Sequence, residues 1–155
     1  MRVIANIESL KKIAFKIADY AKPGDLIAIV GDLGTGKTTF SKEFGRSLGI
    51  KENIKSPTFN YVIEYQSGRM PMYHFDVYRL ETASEIYDTG YEDYLHGEGV
   101  ILVEWADIIA SELPEKYLLI KLYYTGEDDS REIELKWINS PEREKEIEEY
   151  VDFGD

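Results

Sequence analysis

Apolar residues follow two different periodicities along the first third of the chain. Residues 7 to 21 carry a helical stripe that ends at Pro23-Gly24, formed by Leu10, Ile13, Ala14, Ile17 and Ala18. Residues 25 to 30 are almost continuously apolar, which is typical of a strand buried on both faces. Residues 39 to 48 return to helical spacing. The pattern predicts a helix, a buried strand and a second helix, in that order.

The rest of the chain predicts two hairpins, a short helix and another buried strand. Their positions are 59–66 with 70–78 for the first hairpin, 81–88 for the helix, 99–105 for the strand, and 117–124 with 131–138 for the second hairpin. Strands alternate with helices first, and hairpins follow. This order predicts an α/β fold in which a mixed sheet is flanked by helices and ends in a C-terminal β-hairpin.

Chain length and composition favour one domain. The chain has 155 residues, of which 43% are hydrophobic, enough for one core and too few for two. We predict a single domain over residues 1 to 140 and an acidic tail over residues 141 to 155. The chain has no cysteine, which excludes disulfides and thiolate metal sites. No apolar stretch approaches the roughly 20 residues of a membrane span, so we expect a cytoplasmic protein without a membrane segment.

Acidic residues dominate the charge. The chain has 30 acids and 18 bases, a net charge of −12, which opposes binding to a phosphate backbone. Direct nucleic-acid contact is therefore not expected to be its main activity. Part of the excess lies in the tail, at Glu142, Glu144, Glu146, Glu148 and Glu149. The tail is either a solvated terminal helix that frays or a docking surface for a basic partner.

Residues 31 to 38, Gly-Asp-Leu-Gly-Thr-Gly-Lys-Thr, match the phosphate-binding loop pattern G-x-x-x-x-G-K-[ST] between the predicted strand and helix. The glycines allow backbone N–H groups to turn toward phosphate oxygens. Lys37 supplies a charge for the β and γ phosphates, and Thr38 offers its hydroxyl to Mg²⁺. The pattern predicts a nucleoside triphosphate site with magnesium. Its predicted binding residues are Asp32, Leu33, Gly34, Thr35, Gly36, Lys37, Thr38 and Thr39.

Two acids are candidates for the metal and for the attacking water of a hydrolase. Asp76 lies in an alternating strand segment, where an unpaired acid is costly. Glu104 ends a buried apolar run, as the acid of a Walker B strand does, at the strand end where open α/β sheets bind ligands. Asp76 is favoured for the metal, and Glu104 could hold Mg²⁺ or orient the water. The structural alternatives are an acid paired with Arg79 or a neighbouring hydroxyl for Asp76, and a simple strand-end carboxylate for Glu104.

Three further residues have a functional and a structural interpretation. Thr58, in Ser-Pro-Thr-Phe at residues 56 to 59, either closes on Mg²⁺ like the threonine of a nucleotide switch or belongs to a plain turn. His74 is either a hydrogen-bonded core histidine or a catalyst. Trp105 fits a core or edge aromatic better than a recognition residue.

Four motifs together resemble the bacterial TsaE family, formerly the YjeE family. They are Gly-Asp-Leu-Gly-Thr-Gly-Lys-Thr-Thr at 31–39, Ser-Pro-Thr-Phe at 56–59, His-Phe-Asp-Val-Tyr-Arg-Leu at 74–80 and Val-Glu-Trp at 103–105. The similarity covers roughly residues 7 to 138 and includes the order and spacing of the motifs. It implies a P-loop ATPase fold. The set is far more specific than the phosphate loop alone.

The resemblance implies an ATPase subunit of the machinery that makes threonylcarbamoyladenosine in tRNA. TsaE proteins bind the TsaD–TsaB pair, which carries the transfer chemistry, so the implied ATPase is weak alone and contacts tRNA only indirectly. The implied cofactors are ATP and Mg²⁺; weak self-association is left open. The implied catalytic residues are Lys37, Thr58, Asp76 and Glu104, the implied metal residues are Thr38, Asp76 and Glu104, and Arg131 matches a basic position near the nucleotide.

Other nucleotide-binding classes fit less well. A small-molecule kinase needs an acceptor site and usually a lid with arginines, whereas the arginines after the loop are scattered. A GTPase needs a guanine-specifying Asn-Lys-x-Asp segment, which is absent from the sequence. A nucleotide-sensing module with negligible hydrolysis alone is the strongest alternative, because a partner can be needed to complete such a site.

Overall fold

The computed structural model describes residues 1–57 and 60–151. Its seven strands form one sheet and are β1 (Arg2–Ala5), β2 (Leu26–Gly31), β3 (Val62–Tyr65), β4 (Met72–Asp76), β5 (Val100–Glu104), β6 (Tyr117–Tyr124) and β7 (Arg131–Ile138). Their order across the sheet is β1-β7-β6-β2-β5-β4-β3. The sheet is mixed, as the sequence predicts.

The centre of the sheet is parallel and its margins are antiparallel. Strand β2 pairs in parallel with β5 on one side and β6 on the other, and β5 pairs in parallel with β4. Strands β3, β7 and β1 add antiparallel pairs at the two margins. Because β2, β4 and β5 run in the same direction, their carboxyl ends meet at one edge, where open α/β sheets bind their ligands.

Helices cover both faces of the sheet. The α-helices are α1 (Ile7–Tyr20), α2 (Lys37–Ser47), α3 (Tyr91–Leu95) and α4 (Pro141–Tyr150), and 3₁₀ helices span Ala83–Thr89 and Ala106–Glu112. Along β2, Ile27 and Ile29 join the core beneath α1 and α2. Leu26 and Ala28 join a second core beneath α3 and the 3₁₀ helices. Strand β2 is thus buried on both faces, which explains its continuous apolar sequence.

The predicted α/β class, flanking helices and C-terminal hairpin are confirmed. Strands β6 and β7 have the bounds expected for that hairpin. Strand β1 was not predicted, because its partner is β7 at the other end of the chain, with Arg2 opposite Glu134. The short helix α3 was also missed. None of the helices in the described part of the chain has the length and apolar character that a membrane span requires.

The acidic C-terminal segment packs against the domain. It forms α4, and Ile147 and Val151 are fully buried in the core that contains α1 and α2. Arg143 donates two hydrogen bonds of 2.9 Å to the Asp25 carboxylate and one of 2.7 Å to the Tyr20 hydroxyl. The segment is helical, as expected, but its inner face is buried rather than solvated. The sequence interpretation underestimated this packing because five glutamates mask two apolar residues.

Candidate functional site

The phosphate-loop sequence connects β2 to α2 at the carboxyl edge of the sheet. Gly36 is the N-cap of α2 and has a left-handed backbone with φ of 110°, and among the described residues no side chain caps this end. The Thr35 hydroxyl closes the loop by donating to the Asp32 carbonyl at 2.7 Å. The first N–H groups of α2 are therefore available to an anion, which a helix N-terminus favours.

Gly31, at the end of β2, lies against the neighbouring strand β6. A Cβ atom added there would lie 2.7 Å from the Leu122 carbonyl oxygen and 2.7 Å from the Thr35 hydroxyl. Real Cβ atoms do not approach oxygen so closely. Only glycine fits at this position without moving β6 or the loop.

Lys37 is held inside the loop. Its side chain is only 5% exposed, and its ammonium donates to the carbonyls of Gly31 and Asp32, both at 2.7 Å. The same ammonium lies 4.0 Å from the centre of the Trp105 ring. Burial lowers the pKa of Lys37, while the nearby carboxylates, chiefly Glu104, act in the opposite direction. This arrangement places a cation at the loop within reach of a phosphate group.

Thr38, Glu104 and His74 form a continuous hydrogen-bonded chain across α2, β5 and β4. The Thr38 hydroxyl donates to Oε1 of Glu104 at 2.8 Å. The other carboxylate oxygen, Oε2, lies 2.5 Å from Nε2 of His74. Glu104 is 1% exposed and His74 is fully buried. The carboxylate therefore has a fixed partner on each oxygen.

These partners determine the ionisation of Glu104. Burial alone would raise its pKa, but the hydrogen bonds with His74 and Thr38, the charge of His74 and the nearby Ser41 hydroxyl outweigh it and lower the pKa. Hydrogen bonds to a carboxylate favour its charged form. Glu104 is thus ionised at neutral pH although it is buried.

Asp76 lies beside Glu104, opposite it in the parallel register of β4 and β5. Its Oδ1 accepts a hydrogen bond of 3.1 Å from the backbone N–H of Tyr78. Burial raises the pKa of Asp76, the Tyr78 N–H opposes this rise, and the charge of Glu104 adds to it. Asp76 is therefore the more easily protonated of the two acids.

A cleft of about 360 Å³ joins these groups. Its lining residues are Leu33, Gly34, Gly36, Lys37, Thr38, Thr39, Ser56, Asp76, Tyr78, Glu104 and Trp105. Trp105, with a left-handed backbone at φ of 62°, lies with its ring centre 4.6 Å from that of Tyr78 at the rim. The structure thus brings most predicted site residues to one cleft.

The remaining predicted residues have other positions. Thr35 is fully buried and uses its hydroxyl within the loop, and Asp32 lines a neighbouring cavity. Arg131 donates to the Gly34 carbonyl at 3.4 Å and stacks 4.8 Å from the Tyr124 ring centre, so it contacts the outer side of the loop. Thr58 lies outside the described residues.

The sequence interpretation missed two residues that contact the site, and it left the role of a third undecided. The Ser41 hydroxyl, which donates to the Lys37 carbonyl at 3.1 Å, lies close enough to Glu104 to help lower its pKa, and the Ser56 hydroxyl lies 3.2 Å from that of Thr38. Ser41 is one helical turn after Lys37, so helical spacing could have identified it. His74 is a buried partner of Glu104, a pairing between strands that no local pattern reveals.

The oxygen atoms at the cleft fit one class of metal site. The Thr38 hydroxyl and the carboxylates of Glu104 and Asp76 are oxygen donors, which hard cations such as Mg²⁺ prefer. In the part of the chain that the structure describes, no cluster of three or more His, Cys, Asp or Glu side chains could hold a metal by itself. Mg²⁺ commonly uses one or two carboxylates and takes further oxygens from phosphates. The site therefore fits a cation that arrives with a nucleotide.

Comparisons with known proteins agree on one family. The family described as "Threonylcarbamoyl adenosine biosynthesis protein TsaE" matches residues 4–133. A Bacillus subtilis protein named tRNA threonylcarbamoyladenosine biosynthesis protein TsaE is 51% identical over 128 residues, which cover 83% of this chain and 79% of the relative. A Nostoc protein with the same name is 36% identical over 140 residues, covering 88% and 85% of the two chains.

A solved structure shows the same fold. The crystal structure of YdiB from Bacillus subtilis aligns with a TM-score of 0.78 and 40% sequence identity, covering 97% of this chain and 93% of that chain. The likeness extends beyond residue 133, where the family match ends, and so includes the C-terminal region.

Proposed function

Because the chain belongs to the TsaE family of threonylcarbamoyl adenosine biosynthesis proteins, we propose that it binds and hydrolyses ATP in support of that tRNA modification. The observation that supports this proposal best is the 2.8 Å hydrogen bond between Thr38 and Glu104. It joins the phosphate-loop helix to the end of β5, beside Asp76. A hydroxyl and a carboxylate held together next to a phosphate loop form the usual Mg²⁺ site of P-loop NTPases.

Four residues of the cleft, together with the loop N–H groups, have distinct roles in this proposal. The loop N–H groups and Lys37 bind the phosphates of ATP, and Thr38 and Glu104 hold Mg²⁺. Bound Mg²⁺ supplies positive charge to the phosphate oxygens. Asp76 orients the attacking water and accepts its proton, because a carboxyl with a raised pKa is a better base than an ordinary one. Arg131 supports the loop through the Gly34 carbonyl.

The proposed partners are TsaD and TsaB, which would carry the transfer chemistry. Leu33 and Tyr78 both line the cleft and are exposed, at 75% and 56% respectively. Exposed apolar side chains grouped at a site favour contact with another protein, and such contact can complete a slow ATPase. The net charge of −12 favours a subunit that leaves tRNA to its partners. The proposal places this activity in the cytoplasm.

Phosphate release from ATP, measured with the chain alone and with the TsaD–TsaB pair, tests the proposal. We expect the pair to stimulate release, and Lys37→Ala to lower the stimulated rate by about 100-fold or more. Lys42→Ala is the matched control, because Lys42 is an exposed lysine of the same helix outside the cleft. Tight ATP binding without phosphate release in any mixture would instead favour the nucleotide-sensing module. Phosphate transfer to an acceptor would favour a kinase.

A tRNA-binding measurement tests the indirect role. We expect the chain alone to bind tRNA far more weakly than the complex with TsaD and TsaB at physiological salt. Comparable affinities would contradict the proposal that the partners hold the RNA.

A further inference from the structure

His74 has a position that core packing alone does not explain. It lies in the middle of β4, pairs in register with Leu102 of β5, and points to the sheet face covered by α2, as Met72 does. Glu104 lies two residues further along β5, so its side chain meets the imidazole diagonally across the strand pair. The result is the 2.5 Å contact between Nε2 and Oε2.

We infer that His74 is a positioning residue for Glu104, and that its imidazole fixes the carboxylate so that Oε1 is directed at Thr38. A glutamate side chain rotates about three bonds, so one hydrogen bond does not determine its orientation. With Oε2 held by His74, only Oε1 remains for Thr38 and the metal. This inference rests on the proposed function, since it takes Thr38 and Glu104 as the residues that hold Mg²⁺.

The chemistry around His74 favours this role over simple packing. A buried polar pair is often no more stable than apolar residues of the same size, and Met72 and Leu102 show that apolar residues fit this face. The second ring nitrogen, Nδ1, is buried and has no hydrogen-bond partner in the described part of the chain. An imidazole with one unsatisfied nitrogen costs stability. Within the described residues, the contact of Nε2 with Glu104 is therefore the polar interaction that His74 contributes.

The magnesium dependence of ATP binding separates the two roles without requiring hydrolysis. We expect His74→Met to bind ATP without Mg²⁺ as the wild type does, because the phosphate loop is unchanged. The Mg²⁺ concentration that gives half of the tightening should rise roughly 10- to 100-fold, the usual effect of losing a residue that orients a metal ligand. His74→Gln should recover most of the loss, because its amide N–H can replace Nε2.

A double variant tests whether His74 acts through Glu104. In the His74→Met background, Glu104→Gln should raise the Mg²⁺ requirement by much less than it does alone, because the two residues share one interaction. Additive effects would overturn the inference. So would a wild-type Mg²⁺ requirement in His74→Met, or a His74→Gln protein that behaves like His74→Met.

The histidine NMR spectrum gives a readout that needs neither ATP nor a folded His74 variant. The chain has two histidines, and His96 is exposed, so His96→Gln assigns the resonances and serves as the control for binding. We expect Glu104→Gln to shift the ring nitrogen resonances of His74 and leave those of His96 unchanged. An unchanged His74 spectrum would overturn the inference.

The outcomes for His74 and for the proposed function can be told apart. If the wild type binds ATP with a Mg²⁺ dependence but releases no phosphate with the TsaD–TsaB pair, hydrolysis fails and the His74 test still applies. If Mg²⁺ does not tighten ATP binding by the wild type, the metal site fails, and the inference is overturned with it.

Discussion

The ends of β4 and β5 carry two carboxyl groups that are neighbours in the sheet and have pKa values shifted in opposite directions. Asp76 and Glu104 are direct register partners. The pKa of Glu104 is lowered although the residue is almost completely buried, and the pKa of Asp76 is raised although it is only half-buried. Their position in the sheet therefore does not determine the direction in which their pKa values shift.

The difference lies in the donors around each acid. Glu104 is hydrogen-bonded to Thr38 and His74 and has the Ser41 hydroxyl nearby, whereas Asp76 accepts one hydrogen bond, from a backbone N–H, within the described residues. Burial acts on both in the same direction, and only the donors of Glu104 outweigh it. The pKa of Glu104 is thereby lowered and that of Asp76 stays raised, which agrees with the separate roles proposed for the two acids.

The largest expected effect is on the kinetics of hydrolysis. We expect Asp76→Asn to lower the maximal rate of stimulated phosphate release by roughly 100-fold with little change in Mg²⁺–ATP affinity, as loss of a base does. Glu104→Gln should instead raise the Mg²⁺ requirement by at least the roughly 10-fold that loss of a metal ligand's partner costs. Rates measured over a range of Mg²⁺ concentrations check both.

An equal rise in Mg²⁺ requirement for Asp76→Asn would contradict the separation of roles. Both carboxylates would then hold the metal.

A second comparison concerns stability in the absence of nucleotide. Glu104→Gln and Asp76→Asn should change the free energy of unfolding in opposite directions. Glu104→Gln should lower the free energy of unfolding by about 2 kcal/mol, because it removes the charge from a buried hydrogen-bonded group. Asp76→Asn should raise it by about 1 kcal/mol, because a neutral group no longer opposes burial. Urea unfolding at neutral pH measures both values, and changes of the same sign would show that the surroundings of the two acids do not differ as described.

The pH dependence of these stability differences distinguishes the two acids further. Glu104 has a lowered folded pKa, so its stabilising effect is full above the ordinary carboxyl value of about 4.3 and is lost only as pH falls toward the folded value. The pKa of Asp76 in the folded protein is raised, so the destabilising effect of its charge disappears as the pH falls through that pKa. This happens at a pH above the ordinary pKa of an aspartate.

Thermal unfolding of both variants and the wild type between about pH 8 and pH 2 measures this order. On acidification, the difference for Asp76→Asn should shrink first and that for Glu104→Gln later. The reverse order would contradict the stated directions of the two pKa shifts.

The smallest expected effect comes from removing the Ser41 hydroxyl, which donates to the Lys37 carbonyl and helps to lower the pKa of Glu104. Ser41→Ala should raise the Mg²⁺ requirement by about fivefold, the equivalent of one hydrogen bond of about 1 kcal/mol. Ser47→Ala is the matched control, since the Ser47 hydroxyl donates to the Glu43 carbonyl one turn earlier, as that of Ser41 does to Lys37, but does not adjoin Glu104 among the described residues. Equal effects of the two substitutions would indicate a general change in α2 rather than a change at Glu104.

Local patterns predicted the part of the fold that local contacts form. The apolar run of β2, the helical stripe of α1 and the turn of the β6–β7 hairpin each lie within one sequence window, and each prediction is confirmed. Strand β1 was missed because only its pairing with distant β7 makes it a strand. The burial of Ile147 likewise depends on packing against helices far away in sequence.

The same distinction applies to the site. Lys37, Asp76 and Glu104 could be singled out because each stands in an informative local context, and the structure brings all three to one cleft. The opposite pKa shifts of the two acids could not be predicted, because they depend on groups from α2, from β4 and from the segment that follows β4. The roles assigned to these residues, and to Thr58, stay predictions.

Gly31 has a consequence for how such chains are recognised from sequence. Its lack of a side chain is required by the Leu122 carbonyl of the next strand, whatever the ligand. The first glycine of the eight-residue signature is therefore a constraint of sheet assembly. A homologue that had lost nucleotide binding could still keep it, whereas Lys37 and Thr38 would be free to change. Retention of Gly31 alone therefore indicates that the sheet is assembled in this way, and does not indicate that nucleotide binding is kept.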